Sequence, residues 1–164
     1  ERSVARKLSD NKVVLVASPD YLRRHGEPAC LNDLLDHRSL LYRRPHGILH
    51  WQAKTAEGWR DFETTPAFVS NIGEYLVDEA LDGAGLALLP SWSVARHLRD
   101  RTLVCLSIDD AELAFSRNPE LGIFLLYHRP KYQLKKVRVA VDFLLAELRE
   151  DEPAREHEKS DLES

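Results

Sequence analysis

The sequence predicts an α/β fold organised around one parallel crossover. Residues 68–92 have the pattern of a strand, a helix with an apolar stripe of period 3.6, and a second strand in the all-apolar run 86–89. The run 13–17 is also continuously apolar, as expected of a strand that is buried on both faces. Residues 132–149 repeat apolar side chains three and four positions apart, which predicts a helix that packs one face on a core.

The size and composition are those of an ordinary globular protein. The chain has 164 residues, enough for one substantial core or two small lobes, and it is 43% hydrophobic and 30% charged. No run approaches the roughly 20 apolar residues of a membrane span, and the first residues lack the apolar segment of a signal peptide. We therefore expect a cytoplasmic protein with no membrane partner.

The negative charge is concentrated at one end of the chain. Residues 150–164 hold seven acidic and two basic side chains, net −5, so the remaining residues sum to +1 within the total of −4. This acidic stretch has almost no apolar residues, which predicts a disordered tail. The nearly neutral remainder shows no basic cluster of the kind that neutralises phosphates, so the chain is not expected to hold DNA by itself.

Capping residues predict where three helices begin. Ser18 as N-cap, Pro19 at the first helical position and Gly26 after the last turn predict a short helix between them, and Asn32 predicts another over the four residues that follow it. Ser91 similarly predicts a helix after the strand that ends at residue 90.

The central helix has its own start and stop signals. Asn71 is placed to cap it, with Glu74 answering three residues later as in a capping box. Gly83 and Gly85 are expected to end it and to lead into the next strand.

Four further segments have strand character. Residues 48–70 alternate aromatic and polar groups around a Glu-Gly turn, which predicts a hairpin followed by the strand that enters the crossover. The other three segments are 39–43, 102–108 and 122–127.

The sequence nominates no nucleophile, metal site or cofactor. The Gly-Ala-Gly of residues 83–85 closes a helix, whereas a nucleotide-binding loop opens one, so a helix C-cap explains it better. His46 and His50 are four apart, but Pro45 and Gly47 argue against the helix that would place both on one metal. The two cysteines stand far apart, which makes a disulfide or a paired-thiol metal site an unfavoured interpretation.

The start of the central helix is the best candidate for a ligand contact. Ligands of open α/β sheets bind beyond the carboxyl ends of the strands, where helix N-termini offer free N–H groups. Ser70, Asn71, Ile72 and Gly73 occupy such a position. The alternative is that Ser70 and Asn71 only cap the helix, which alone accounts for these residue types.

The three tryptophans, Trp51, Trp59 and Trp92, are expected in the core. Each could instead line a ligand cleft, but an aromatic side chain in a strand or helix is more often a packing residue.

Several segments, taken in order, resemble the effector-binding domain of LysR-type transcriptional regulators. They are Val-Leu-Val-Ala-Ser-Pro-Asp-Tyr-Leu at 14–22, Ser-Asn-Ile-Gly-Glu at 70–74, Ala-Leu-Asp-Gly-Ala-Gly-Leu-Ala-Leu-Leu-Pro at 80–90, and Tyr-His-Arg at 127–129 followed by residues 135–144. Their order and spacing over residues 10–148 make the resemblance specific.

The resemblance implies a periplasmic-binding-protein-like fold of type II, in which two Rossmann-like lobes are joined by two crossing strands. The crossings would be residues 13–18 and about 121–127. A partial first lobe would comprise 1–18 and 117–149, and the second lobe 19–116, ahead of the acidic tail 150–164. The family's winged helix-turn-helix and the start of its first lobe are expected to be missing from this sequence.

The resemblance also implies a function without bond chemistry. A small-molecule effector, such as a carboxylate or aromatic acid, would lie between the lobes and favour one arrangement of them, and a homo-oligomer would pass the change to the DNA-binding domain. No enzyme activity and no cofactor are expected. The implied effector contacts are Ser18, Tyr42, Phe68, Ser70, Asn71 and Ile72.

Three other classes of function compete with this interpretation. A stand-alone solute-binding protein of the same fold would need an export signal and a complete first lobe. An α/β enzyme would need a nucleophile, metal or cofactor signature. A truncated remnant that binds no ligand is the third alternative.

Overall fold

A computed structural model describes residues 3–118 and 122–147, and the chain forms two compact units. The chain passes from one unit to the other between residues 10 and 11 and again between residues 120 and 121. The strand at 13–17, which we expected to be a crossing strand, lies inside the larger unit and not at a division point. The predicted tail, residues 150–164, lies outside the described residues.

The elements are numbered in chain order. They are β1 Ser3–Asp10, β2 Val13–Ala17, α1 Pro19–His25, a 3-10 helix Asp33–Asp36, β3 Arg38–Arg44, β4 Gly47–Leu49, β5 Trp51–Thr55, β6 Gly58–Phe62, β7 Thr65–Ser70, α2 Gly73–Leu81, β8 Leu86–Pro90, α3 Ser91–Arg99, β9 Val104–Leu106, β10 Glu112–Ala114, β11 Gly122–His128, α4 Arg129–Tyr132 and α5 Lys135–Glu147. None of these helices is both long and apolar enough to cross a lipid bilayer.

The larger unit is built on a mixed sheet with the order β4-β3-β8-β2-β9, and β7 pairs with β3. Leu40 of β3 pairs with Phe68 of β7 on one side and with Ala87 of β8 on the other, and both pairings are parallel. The segment β7-α2-β8 is therefore the predicted parallel crossover, with β3 between its two strands. β2 runs antiparallel to both β8 and β9.

The sheet is buried on both faces, which explains the continuous apolar runs in β2 and β8. Val16, Ala87 and Leu89 join a cluster with the apolar stripe of α2, including Leu76, while the alternate residues of the same strands join a cluster with α1 and the hairpin strands β5 and β6. Trp51 of β5 is 1% exposed in this second cluster, as predicted.

The two glycines after α2 end the helix and lead into the next strand, β8. Gly83 has φ of 74°, and the N–H groups of Gly83 and Ala84 donate to the carbonyls of Ala80 and Glu79, which is the Schellman pattern of a helix C-terminus. The predicted C-cap is therefore confirmed.

Of the four predicted side-chain caps, one is present among the described residues. Asn32 occupies the N-cap position of the 3-10 helix, but its side chain makes no capping hydrogen bond. The Ser18 hydroxyl accepts from the N–H of Tyr21 at 3.2 Å and caps α1. At α2 the prediction is wrong, because the helix begins one residue later than Asn71 would require: Ile72 is the N-cap residue in extended conformation. At α3 the prediction is also wrong, since Pro90 occupies the cap position and Ser91 is already helical.

The smaller unit contains the antiparallel pair β1–β11 with α4 and α5. The single helix predicted over 132–149 is divided, because the N–H of Leu134 bonds back to Lys131 and closes α4, while the Leu134 carbonyl accepts from Arg138 and starts α5. The predicted strand 122–127 is present as β11, yet it leaves Leu126 70% exposed.

A buried pair of ring groups links α1 to the start of β3. The N–H of Arg38 donates to the Tyr21 hydroxyl at 3.1 Å, and that hydroxyl lies 3.1 Å from Nδ1 of the buried His37. Burial lowers the pKa of His37, and the nearby His25 imidazole lowers it further against the opposing carboxylates of Asp33 and Asp36. The folded protein therefore favours neutral His37.

Acidification should weaken the fold through this histidine. Since the folded pKa of His37 lies below its ordinary 6.5, its contribution is present above pH 6.5 and is lost as pH falls through the lowered value. We expect His37→Asn to reduce the difference between urea unfolding free energies measured at pH 7 and pH 5. The exposed His46→Asn is the control and should leave that difference unchanged; an equal difference in all three proteins would contradict the prediction.

Candidate functional site

Two helices of the larger unit start at the same edge of its sheet. β3, β7 and β8 are parallel, so their carboxyl ends share one edge, and Tyr42 of β3 pairs there with Ser70 of β7. α2 follows β7 and α3 follows β8 directly, and neither helix has a side-chain hydrogen bond at its N-cap. The edge thus presents the N–H groups of two helix N-termini. The sequence analysis predicted a ligand contact at such a position, beyond the carboxyl ends of the strands.

A cavity of about 770 Å³ lies at this edge, within the size range of small-molecule sites. The last three residues of β8 form one wall of it, the first two turns of α2 and α3 contribute two others, and β3, β4 and the chain after β10 complete it. Its lining residues are Tyr42, Arg44, Leu49, Gly73, Glu74, Leu76, Val77, Asp78, Leu88, Leu89, Pro90, Trp92, Ser93, His97 and Phe115.

The lining is largely apolar, and Trp92 is its most exposed large hydrophobic side chain. Trp92 is 57% exposed, so the prediction that it belongs to the core is wrong. Its indole Nε1 donates to Oδ1 of Asn11 at 3.1 Å, which holds the ring in place at the start of α3. An aromatic face fixed in this way provides a flat apolar contact for a ligand. Trp59 is only partly buried on the hairpin and belongs to neither core cluster, so the prediction is wrong for it too; Nζ of Lys54 lies 5.9 Å from its ring.

The cavity contains side chains of both charges. Arg44 comes from β3, and Glu74 and Asp78 come from α2 one turn apart. Within residues 3–118 and 122–147, none of the three takes part in an ion pair or a side-chain hydrogen bond. His97 is less free, because its Nδ1 lies 3.1 Å from the Thr102 hydroxyl.

The structure groups some of the predicted contact residues around the cavity. Tyr42 lines it. Ser70, Asn71 and Ile72 immediately precede the lining residue Gly73, and the Ser70 hydroxyl already accepts from the N–H of Ile72 at 3.0 Å. Asn71 and Ile72 are exposed at this rim.

Phe68 and Ser18 lie apart from the cavity. Phe68 is half-buried and packs against the core cluster that includes Leu76 of α2, and it is not among the lining residues. Ser18 is at the opposite edge: β2 runs antiparallel to β8, so the residue after β2 lies beside the start of β8 and not beside its end. Ser18 is also 3% exposed and occupied in capping α1. Its predicted place among the effector contacts is not supported by this geometry.

The sequence interpretation missed Arg44 and the first turn of α3, and it favoured the core over a ligand cleft for Trp92. The signal that could have found them is the one applied to α2, because Pro90-Ser91 also marks a helix that begins where a buried strand ends. Arg44 could have been found from its spacing, since it lies two residues after Tyr42 on the same strand and therefore on the same face.

A more polar groove of about 540 Å³ adjoins the cavity and shares Arg44, Leu49 and Phe115 with it. Arg117 closes part of this groove by donating to the Gln52 side chain at 2.8 Å and to Asp61 at 3.1 Å. The Gln52 hydrogen bond, and then the Arg117 charge, lower the pKa of Asp61. This network ties the chain after β10 to the hairpin and so fixes the position of Phe115.

No group of three or more His, Cys, Asp or Glu side chains within the described ranges has the geometry to hold a metal ion. Both cysteines are free thiols, Cys105 exposed on β9 and Cys30 partly buried.

Comparisons with known proteins find similarity to parts of transcriptional regulators. The family model described as LysR substrate binding domain matches residues 1–149. The chain is 31% identical over 146 residues to the HTH-type transcriptional activator TtdR of Escherichia coli K12, covering 87% of this chain and 44% of TtdR. It is 30% identical over 145 residues to the HTH-type transcriptional regulator CrgA of Neisseria meningitidis, covering 88% of this chain and 46% of CrgA. The chain thus spans less than half the length of these relatives.

Solved structures give the same result. The CrgA regulatory domain matches with a TM-score of 0.72 and 27% identity over 89% of this chain and 69% of that one. The full-length virulence activator AphB of Vibrio cholerae matches with a TM-score of 0.71 and 29% identity over 88% of this chain and 48% of AphB. These likenesses confirm the predicted fold class, a type II periplasmic-binding-protein-like α/β fold.

Proposed function

Because the chain belongs to the LysR substrate-binding domain family, we propose that it senses a small-molecule effector for a LysR-type transcriptional regulator. The observation that carries this proposal is the largely apolar cavity at the carboxyl ends of β3 and β8, where α2 and α3 begin. A cavity of this size with a few convergent polar groups is typical of small-molecule sites.

The effector we propose carries a carboxylate and an apolar body. Among the described residues the Arg44 guanidinium has no ion-pair partner, and the N-termini of α2 and α3 add partial positive charge at the same edge. Trp92 and Leu88 provide apolar contacts for the body of the ligand. Of the residues predicted from the sequence, Tyr42 shapes the wall, while Ser70, Asn71 and Ile72 contact ligand at the rim and Phe68 supports the wall from behind.

The proposed mechanism is a shift between two conformations without bond chemistry. A ligand changes such an equilibrium only by binding one state better than the other. DNA would be bound by another part of the regulator, acting as a homo-oligomer in the cytoplasm. The relatives are named transcriptional regulators, in keeping with a role other than catalysis.

A thermal-shift panel of small carboxylates and aromatic acids tests this function. A ligand at about 100 times its dissociation constant stabilises the fold by roughly 2.7 kcal/mol, which raises the melting temperature by several degrees. We expect at least one member to do so, and Trp92→Ala to abolish the shift. Trp59→Ala, on the hairpin away from the cavity, is the matched control and should retain it. Equal shifts in both variants would contradict binding at this cavity.

A further inference from the structure

The charges around the cavity narrow the class of effector, and this step rests on the function proposed above. Arg44 is at the end of β3, whereas Glu74 and Asp78 project from α2, so opposite charges reach one cavity from different elements. None of these three residues has an ion-pair partner in the part of the chain that the structure describes. A single ligand that carries both charges could pair with Arg44 through its negative group and with Glu74 and Asp78 through its positive group.

The acidic pair also has an arrangement that favours a cation beside it. Glu74 and Asp78 are four residues apart on α2, a spacing at which like charges repel each other and destabilise a helix. Glu74 gains from the helix dipole in the first turn, but Asp78 lies beyond the reach of that effect. A cation placed between the two carboxylates would be attracted to both and would offset their repulsion.

We propose that the effector is a zwitterionic amino acid with an apolar side chain. Its carboxylate binds the Arg44 guanidinium, which presents two parallel N–H donors to such a group. Its ammonium group lies against Glu74 and Asp78. Its side chain packs on Trp92 and Leu88, in the apolar part of the cavity.

Three probes with the same phenylethyl body test this assignment by titration calorimetry. L-phenylalanine carries both charges, 3-phenylpropionate lacks the ammonium group, and 2-phenylethylamine lacks the carboxylate. We expect L-phenylalanine to bind the wild-type protein at least tenfold more tightly than either of the others. The combined variant Glu74→Gln, Asp78→Asn should lose about tenfold in affinity for L-phenylalanine and keep or improve its affinity for 3-phenylpropionate.

A second pair of acids, Glu79 on α2 and Asp82 directly after it, provides the control. Glu79→Gln with Asp82→Asn removes the same charge at positions that do not line the cavity, so the preference for L-phenylalanine should survive. Equal wild-type affinities for L-phenylalanine and 3-phenylpropionate would overturn the amino-acid assignment and leave the proposed function standing. Failure of all three probes, while another carboxylate of the thermal-shift panel binds, would likewise overturn the assignment alone. A panel with no ligand at all would overturn both.

Discussion

Replacing Gly85 by alanine will lower the free energy of unfolding by about 1–3 kcal/mol, the range for forcing an extra methyl into a packed interior. A Cβ at this position would lie 2.6 Å from the carbonyl oxygen of Arg38 and 3.0 Å from its carbonyl carbon. The obstacle is backbone, so it cannot turn aside as a flexible side chain would. The neighbouring pair Ser39–Leu86 is where β8 joins β3, and the methyl would push these two strands apart.

Gly73→Ala is the matched control for that substitution. Gly73 is the first residue of α2, its φ is not positive, and a Cβ there meets nothing within 4 Å. Alanine favours helix and restricts the unfolded chain, so its stability should be unchanged or up to about 1 kcal/mol higher. Urea unfolding measures both variants. A Gly85→Ala protein as stable as Gly73→Ala would show that β3 and β8 do not approach as described.

Replacing Arg44 by glutamine will weaken the binding of 3-phenylpropionate at least tenfold. The guanidinium lines the cavity without an ion-pair partner among the described residues, so it is available to a carboxylate. Charge-assisted hydrogen bonds contribute about 1.5–3 kcal/mol, which corresponds to a loss of ten- to more than a hundredfold. Calorimetric titration of wild type and variant gives the ratio directly.

Arg43→Gln is the control for this prediction. Arg43 precedes Arg44 on β3 and therefore projects from the other side of the strand, away from the cavity lining. Arg43→Gln removes the same charge from the protein as Arg44→Gln, so any long-range effect of net charge on binding appears in both variants. An equal loss in Arg43→Gln and Arg44→Gln would assign the effect to overall charge, against a direct contact with Arg44.

The elements that could be predicted from the sequence are those in which a local pattern agrees with burial. Both faces of the sheet are covered, so β2 and β8 need apolar side chains at every position. An uninterrupted apolar run in the sequence indicates such a strand. The C-cap at Gly83 was equally predictable, since a positive φ strongly favours glycine.

Helix starts were predicted less well than helix ends. Asn71 and Ser91 have the right residue type for a cap, but the helices begin after Ile72 and Pro90. Serine and asparagine also form local bonds outside helices, as Ser70 does with the N–H of Ile72. Residue type alone therefore does not distinguish a cap from the turn that precedes it.

The candidate site was predictable only in part, because a hydrophobic pattern indicates which strands are buried but not the direction in which each strand runs. β2 and β8 are alike in apolarity, yet they run in opposite directions. The end of β8 therefore meets the cavity, while the end of β2, with Ser18, lies at the other edge. The edge at which α2 begins was predictable because a crossover fixes the direction of its own two strands, whereas placing Ser18 required the pairing of β2 with β8.

The most direct test of the cavity as an effector site is a ¹⁹F NMR titration of protein labelled with 5-fluorotryptophan. The three tryptophans report from different places: Trp51 in the core, Trp59 on the hairpin and Trp92 in the cavity lining. Trp92→Phe identifies the resonance of Trp92. On addition of a carboxylate that raises the melting temperature, we predict that the Trp92 resonance shifts with saturation while those of Trp51 and Trp59 stay in place. An unmoved Trp92 resonance at a ligand concentration that stabilises the protein would contradict the account.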